Sequence, residues 1–184
     1  MTEPSILSSL REDHTNARRL VDILMREAQL IRDGDDADYE VIEGITDYFK
    51  GYPDACHHPI EDRMFQRMVV VDAARVKAVG DLLVEHGQLR RKLADVVAAL
   101  RDVRLEAEVP RNNIVSRLES FVDAYRRHMD AEDRQFFPLA AAMLDDDGWA
   151  AVGSAAASVG DPLFAAKEGF DGLRKRMLAF EKDI

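Results

Sequence analysis

Apolar residues recur at alternating steps of three and four along most of the chain, a spacing that fits long amphipathic helices and little else. From Leu7 the stripe runs Leu7, Leu10, His14, Ala17, Val21, Leu24, Ala28 and Ile31, then stops at the turn-forming cluster Asp33-Gly34-Asp35-Asp36. A second stripe, Ile42, Ile45, Phe49 and Tyr52, meets Gly51-Tyr52-Pro53 and resumes as His57, Glu61, Met64 and Met68. Proline within a helix removes a hydrogen bond and crowds the preceding turn, so a kink or break is expected near residue 50. The third stripe is Val79, Leu82, His86, Leu89, Leu93, Val96 and Leu100. The fourth is Ile114, Leu118, Phe121, Tyr125, His128, Glu132, Gln135 and Leu139. No segment alternates with the period of two that a half-buried strand needs. The pattern predicts an all-α chain folded as an antiparallel up-down four-helix bundle over residues 1–144. Residues 145–184 are expected to form a C-terminal helical extension packing on the bundle, with Leu173, Met177 and Phe180 on one side of a helix. A dimerisation surface is the alternative reading of that segment.

Polar residues interrupt these stripes at matching places. Asp13-His14-Thr15-Asn16-Ala17-Arg18-Arg19 is echoed by Glu85-His86-Gly87-Gln88-Leu89-Arg90-Arg91. Further along, His57-His58-Pro59-Ile60-Glu61-Asp62-Arg63-Met64-Phe65 is echoed by His128-Met129-Asp130-Ala131-Glu132-Asp133-Arg134-Gln135-Phe136, both reading H-x-x-x-E-D-R-x-F. Two helical hairpins of one design are therefore expected about a pseudo-twofold axis. Residues four apart share a helix face, so His57 points with Glu61 and His128 with Glu132, while His14 and His86 lie inside their own apolar stripes. An unpaired carboxylate in such an interior costs several kcal/mol or takes up a proton. A bound cation removes that cost, because it accepts neutral imidazole nitrogen and carboxylate oxygen together. The expected metal ligands are His14, His57, Glu61, His86, His128 and Glu132.

The neighbours of these residues are assigned to ordinary structural roles. His58 lies about 100° around the helix from His57, and its counterpart in the repeat is Met129, so it is read as a satisfied core histidine. Cys56 is read as a small core residue. Asp62, Asp133 and the arginines that follow the histidines are placed on solvated faces, the arginines facing water or making surface ion pairs; support of a metal ligand is the alternative reading for either aspartate. Phe65, Phe121, Tyr125 and Phe136 are core positions that could also line a small pocket.

This combination resembles the hemerythrin-like proteins with the HHE cation-binding domain, over roughly residues 5 to 142. The resemblance implies two iron ions per chain joined by an oxo or hydroxo bridge and by the two glutamates. It also implies a small diatomic or peroxide ligand, with O2, peroxide or NO chemistry in oxidative or nitrosative stress or in iron handling. A non-catalytic oxygen, NO or iron sensor, or a metal store, is the alternative. Oxygen-carrying hemerythrins use five histidines, two of them one turn apart on the third helix, whereas here Leu82 stands one turn before His86. Four histidines and two carboxylates remain, as in relatives linked to iron–sulfur repair and nitric-oxide stress, which implies one open position on each metal. The donor types themselves suit zinc or manganese as well as iron.

Composition narrows the partners. Lys plus Arg number 25 against 35 Asp plus Glu, a net charge of −10, which argues against nucleic acid and anionic membranes. One cysteine allows no internal disulfide, and neither a signal peptide nor a membrane-length apolar run is visible, so a cytoplasmic monomer or homodimer is expected.

Overall fold

The computed structural model describes residues 4–105, 110–153, 161, 163 and 171–180. Every regular element among them is helical: α1 (Ser5–Asp33), α2 (Tyr39–Tyr52), α3 (His58–Val76), α4 (Leu82–Arg104), α5 (Arg111–Ala131), α6 (Phe137–Met143), α7 (Asp146–Gly153) and α8 (Asp171–Phe180). Caps fix where the long helices begin and end. Gly34 closes α1 in the left-handed conformation at φ 84°, open to glycine without the Cβ clash. Asp38 accepts the Glu40 and Val41 N–H groups at the start of α2, and Asp81 accepts that of Val84 at the start of α4.

The expected interruption at Pro53 takes a different form. The helix does not break; α2 and α3 are joined by a π turn, Pro53–His57, in which the His58 N–H reaches back to the Pro53 carbonyl. A second π turn, Glu132–Phe136, joins α5 to α6, with the Phe137 N–H on the Glu132 carbonyl. The same local chemistry accompanies both. A proline stands second in the helix that follows, Pro59 and Pro138, and its ring has no N–H for the carbonyl four residues back. Widening the turn by one residue relieves that conflict without stopping the rod. It also slips the helical register, so two consecutive side chains face inward after each π turn: His57 with His58, and Phe136 with Phe137. Gln135, placed inward by simple periodicity, is exposed in consequence.

Four rods result, 5–33, 39–76 (kinked at Asp72, where φ −159° and ψ 91° leave the helical region), 82–104 and 111–143, and each passes between two apolar clusters. One cluster gathers Leu20, Val21, Leu24, Ile42, Ile45, Phe49, Val96, Leu118 and Phe121. The other gathers Leu7, Leu10, Met64, Met68, Leu82, Phe137, Ala140 and Val152. Successive rods traverse these clusters in opposite senses, which is the up-down topology of an all-α bundle. Burial of each large apolar side chain contributes about 1.5–3 kcal/mol, so the two clusters can hold a polar layer between them. That layer contains every histidine of the chain.

The described C-terminal residues touch the bundle at several places, among them Leu163 in the first cluster and Arg176 on Asp38 and Glu40. The aspartates after Met143 do not merely end the fourth rod, since Asp145 accepts the Gly148 N–H and starts α7, whose Val152 joins the second cluster. Asp161 is buried and accepts from Tyr48 Oη at 2.7 Å and Asn16 Nδ2 at 3.3 Å. Leu173 of α8 packs into the first cluster over Gly44. The small-residue stretch before Asp161, Pro162, and the side chains of Met177 and Phe180 lie outside the described residues.

Candidate metal centre

All six residues singled out from the repeat are buried and converge between the clusters: His14, His57, Glu61, His86, His128 and Glu132 are each 5% exposed or less. The glutamates sit between the histidines. Glu61 Oε1 lies 3.1 Å from His57 Nε2 and 3.8 Å from His14 Nε2, while its Oε2 lies 3.4 Å from His86 Nε2. Glu132 mirrors this, with Oε2 3.2 Å from His14 Nε2 and Oε1 3.2 Å from His128 Nε2 and 3.7 Å from His86 Nε2. Each carboxylate thus turns one oxygen toward His14 and the other toward His86. All four glutamate oxygens, with Nε2 of His86 and His128, are buried and form no hydrogen bond. Two apolar clusters do not gather such groups without compensation. Imidazole nitrogen and carboxylate oxygen aimed at common points are the donor set for a divalent first-row metal, so the residues fit a cation.

The histidines fall into two groups of metal-holding geometry. His14 and His57 form one with Glu61; His58, His86 and His128 form the other, also with Glu61, every ligand atom within 4.8 Å of its fellows. His58 is the residue that sequence reasoning passed over. Its Nε2 is buried with no partner, so it is not a satisfied core histidine. The signal for it was present in His57-His58-Pro59, because a proline there widens the preceding turn and rotates the second histidine inward. Met129, its counterpart in the repeat, is buried in the first apolar cluster, since the second π turn falls beyond it, at Glu132.

A family model described as the hemerythrin HHE cation-binding domain matches residues 5–140. The chain belongs to that family. No curated protein and no solved structure matches it.

Within this HHE domain every histidine has an acid on its Nδ1 side, hydrogen-bonded to it in all but His14, whose Nδ1 faces Asp133 without a hydrogen bond. Asp13 lies 3.0 Å from His57, Asp54 3.0 Å from His58, Asp62 2.8 Å from His86, Glu85 3.2 Å from His128 and Asp133 3.2 Å from His14. The repeated motifs interlock through these contacts. The acid before each lone histidine serves the H-x-x-x-E histidine of its own hairpin, and the aspartate of each E-D-R serves the lone histidine of the other. Asp62 and Asp133 therefore face histidines of the cluster rather than water alone. An acid on Nδ1 fixes the tautomer, turns Nε2 inward and raises its basicity. Arg18, expected on the surface, reaches Asp133 at 2.7 Å, and Arg11 does so at 2.9 Å.

Charge follows the same geometry. Burial opposes protonation of His57, but Glu61 and Asp13 outweigh it and raise the imidazole to about 10. Burial likewise opposes charge on His86, which Asp62, Glu132 and Glu61 raise to about 11. His58 is lowered well below the usual histidine range, by burial and then by its neighbour His86. Burial raises the Asp133 carboxyl, yet His14 and Arg18 prevail and hold it at about 2.

A cavity of about 10 Å³, room for the centre of roughly one water-sized molecule, adjoins His14 and His57 and is walled by Asp13, Ala17, Tyr48, Tyr52, Pro53 and Tyr125. Tyr52 donates to Asp13 at 3.2 Å, and burial raises the Tyr52 and Tyr125 phenols, keeping them neutral. A second cavity of the same size lies beside Glu132 under Phe65, Leu82 and Phe136. No helix among the described residues is long and apolar enough to cross a membrane.

Among the described residues Asp62 contacts the centre through His86, so Asp62→Ala isolates the contribution of an orienting acid. Metal affinity is expected to fall about 10- to 100-fold with the helical content unchanged, measured by competition against a chelator of known affinity. Affinity equal to that of the parent protein would remove Asp62 from the centre.

Proposed function

We propose that this HHE domain holds two iron ions and binds or reacts with a small molecule such as O2, peroxide or NO. The observation that carries this reading is the placement of Glu61 and Glu132, each offering one buried oxygen to His14 and the other to His86. A carboxylate so disposed is suited to join two cations. His14 and His57 would hold one, His86 and His128 the other, and an oxo or hydroxo bridge would complete the pair. Iron is chosen over zinc or manganese on family membership. When bound, such a pair supplies redox-active Lewis-acid positions for a diatomic or peroxide ligand.

The protein's own part is positioning and exclusion. The five Nδ1 acids set the imidazole planes before any ligand arrives. The small cavity at His14 and His57 restricts access to molecules of a few atoms, and the neutral phenols of Tyr48, Tyr52 and Tyr125 keep a free anionic side chain away from it. The stress and iron-handling roles expected from the resemblance belong to this same proposal.

Elemental analysis of aerobically and anaerobically purified protein, read with its visible and near-ultraviolet spectrum, tests it. Two irons per chain and absorption that changes on adding O2, peroxide or NO are expected. Zinc in full amount with a featureless spectrum would overturn the redox reading and leave a structural metal site.

A further inference from the structure

We propose that His58 is a seventh metal-binding side chain, giving one metal three imidazoles and confining the exchangeable position to the metal held by His14 and His57. The inference rests on the two-metal reading above and goes beyond it, because that reading treats the two metals as equivalent.

Three independent features of His58 point the same way. Its Nε2 is buried without any hydrogen-bond partner, although the ring is only 3% exposed. A histidine retained for packing would satisfy both nitrogens or leave one in water. Its Nδ1 is held by Asp54 at 3.0 Å, the arrangement found also on His57, His86 and His128. Finally, its ring stacks on His86 with centroids 4.1 Å apart and planes 22° apart, within a group whose donor atoms all lie inside 4.8 Å. Two nearly parallel imidazoles with inward nitrogens can serve one cation once the metal displaces the proton of His86.

The pair Asp54 and His58 breaks the symmetry of the repeat. Tyr125 and Met129 occupy the corresponding places in the second half, and neither supplies an acid–imidazole pair. The asymmetry follows from backbone: the first π turn ends on the histidine of H-x-x-x-E and brings in the next residue, whereas the second begins on the glutamate and brings in Phe136 and Phe137. With both glutamates and one bridging oxygen shared, three imidazoles fill a six-coordinate metal and two leave one position free. A small cavity touches His14 and His57 on that side, while among the described residues the other side is reached at His128 by a surface pocket and at Glu132 by the second small cavity. The expectation of an open position on each metal is replaced by one per chain.

The test uses iron-loaded protein and azide as the probe. Wild-type protein is expected to bind two irons and a single azide per chain by spectral titration. His58→Gly is expected to bind one iron at least 10-fold more weakly, and added imidazole is expected to restore both that iron and the parent spectrum. Two azides per chain on wild-type protein would overturn the inference whether or not the variant folds. So would a His58→Gly variant holding both irons with an unchanged spectrum. Fewer than two irons in wild-type protein would instead sink the two-metal reading, so the two failures are distinguishable.

Discussion

Glu61→Ala is expected to release both metals and to lower the melting temperature by roughly 10 °C. Glu61 is fully buried, and its two oxygens face different histidine groups, so its removal takes a donor from both metals at once. A ligand present at 1,000 times its dissociation constant stabilises the folded state by about 4 kcal/mol. In a chain of this size each kcal/mol moves the midpoint by about 2–4 °C. Loss of metal alone therefore accounts for roughly 8–16 °C, before any cavity is counted. Glu61→Gln separates charge from volume: it fills the same space and keeps one carbonyl oxygen, but cannot serve two metals as a carboxylate does. It is expected to resemble the alanine variant in metal content and to exceed it in metal-free stability. Calorimetry beside elemental analysis decides this. A Glu61→Ala protein that keeps two metals would show that Glu61 does not join them.

Much of this architecture is legible in the sequence because its determinants are periodic. The stripe from Leu7 to Ile31 is buried at every position named for it, and the paired H-x-x-x-E segments bring their four residues into one layer. A stripe reports which face points inward as long as each turn has the same number of residues. It fails where a turn widens, and both failures fall at π turns, at Gln135 and at His58. Periodicity and Pro53 predict a kink or break near residue 50, whereas the effect that matters comes from Pro59 and Pro138 acting on the turn before them. The Nδ1 acids are only weakly legible, for a different reason. Asp62 and Asp133 lie about 100° from the glutamates they follow and look solvated within their own helices. Only the approach of another helix shows that they face a histidine. Asp161, the buried acceptor for Tyr48 and Asn16, carries no periodic signal, because that contact joins distant parts of the chain.

Removing the metals is expected to convert a stability profile that is flat above neutrality into one that declines with pH. In the metal-free protein His57 and His86 are raised to about 10 and about 11, against about 6.5 in an unfolded chain. Below pH 6.5 both states carry these protons, and the ion pairs with Glu61, Asp13 and Asp62 contribute in full. Between pH 6.5 and 10 the unfolded chain loses the protons while the native state keeps them, so the native state binds more protons and stability falls as pH rises. The limiting slope is about 1.4 kcal/mol per pH unit for each histidine. Acids set the other limit: Asp133 at about 2 and Glu61, also depressed, lose their contribution as pH falls below about 4. His58, with a lowered pKa, favours the native state increasingly up to about pH 6.5 and is neutral in both states above it. Metal-free protein is therefore expected to be most stable between about pH 4.5 and 6.5. Bound metal replaces the protons on His57 and His86, and fewer must be displaced as pH rises, so its affinity grows over the same window. The difference in melting temperature between loaded and chelator-treated protein should widen steadily from pH 6.5 to 9. Melting curves of the two forms across that range test the point. Parallel curves, or a metal-free midpoint that rises with pH, would show that these histidines do not exchange protons for metal.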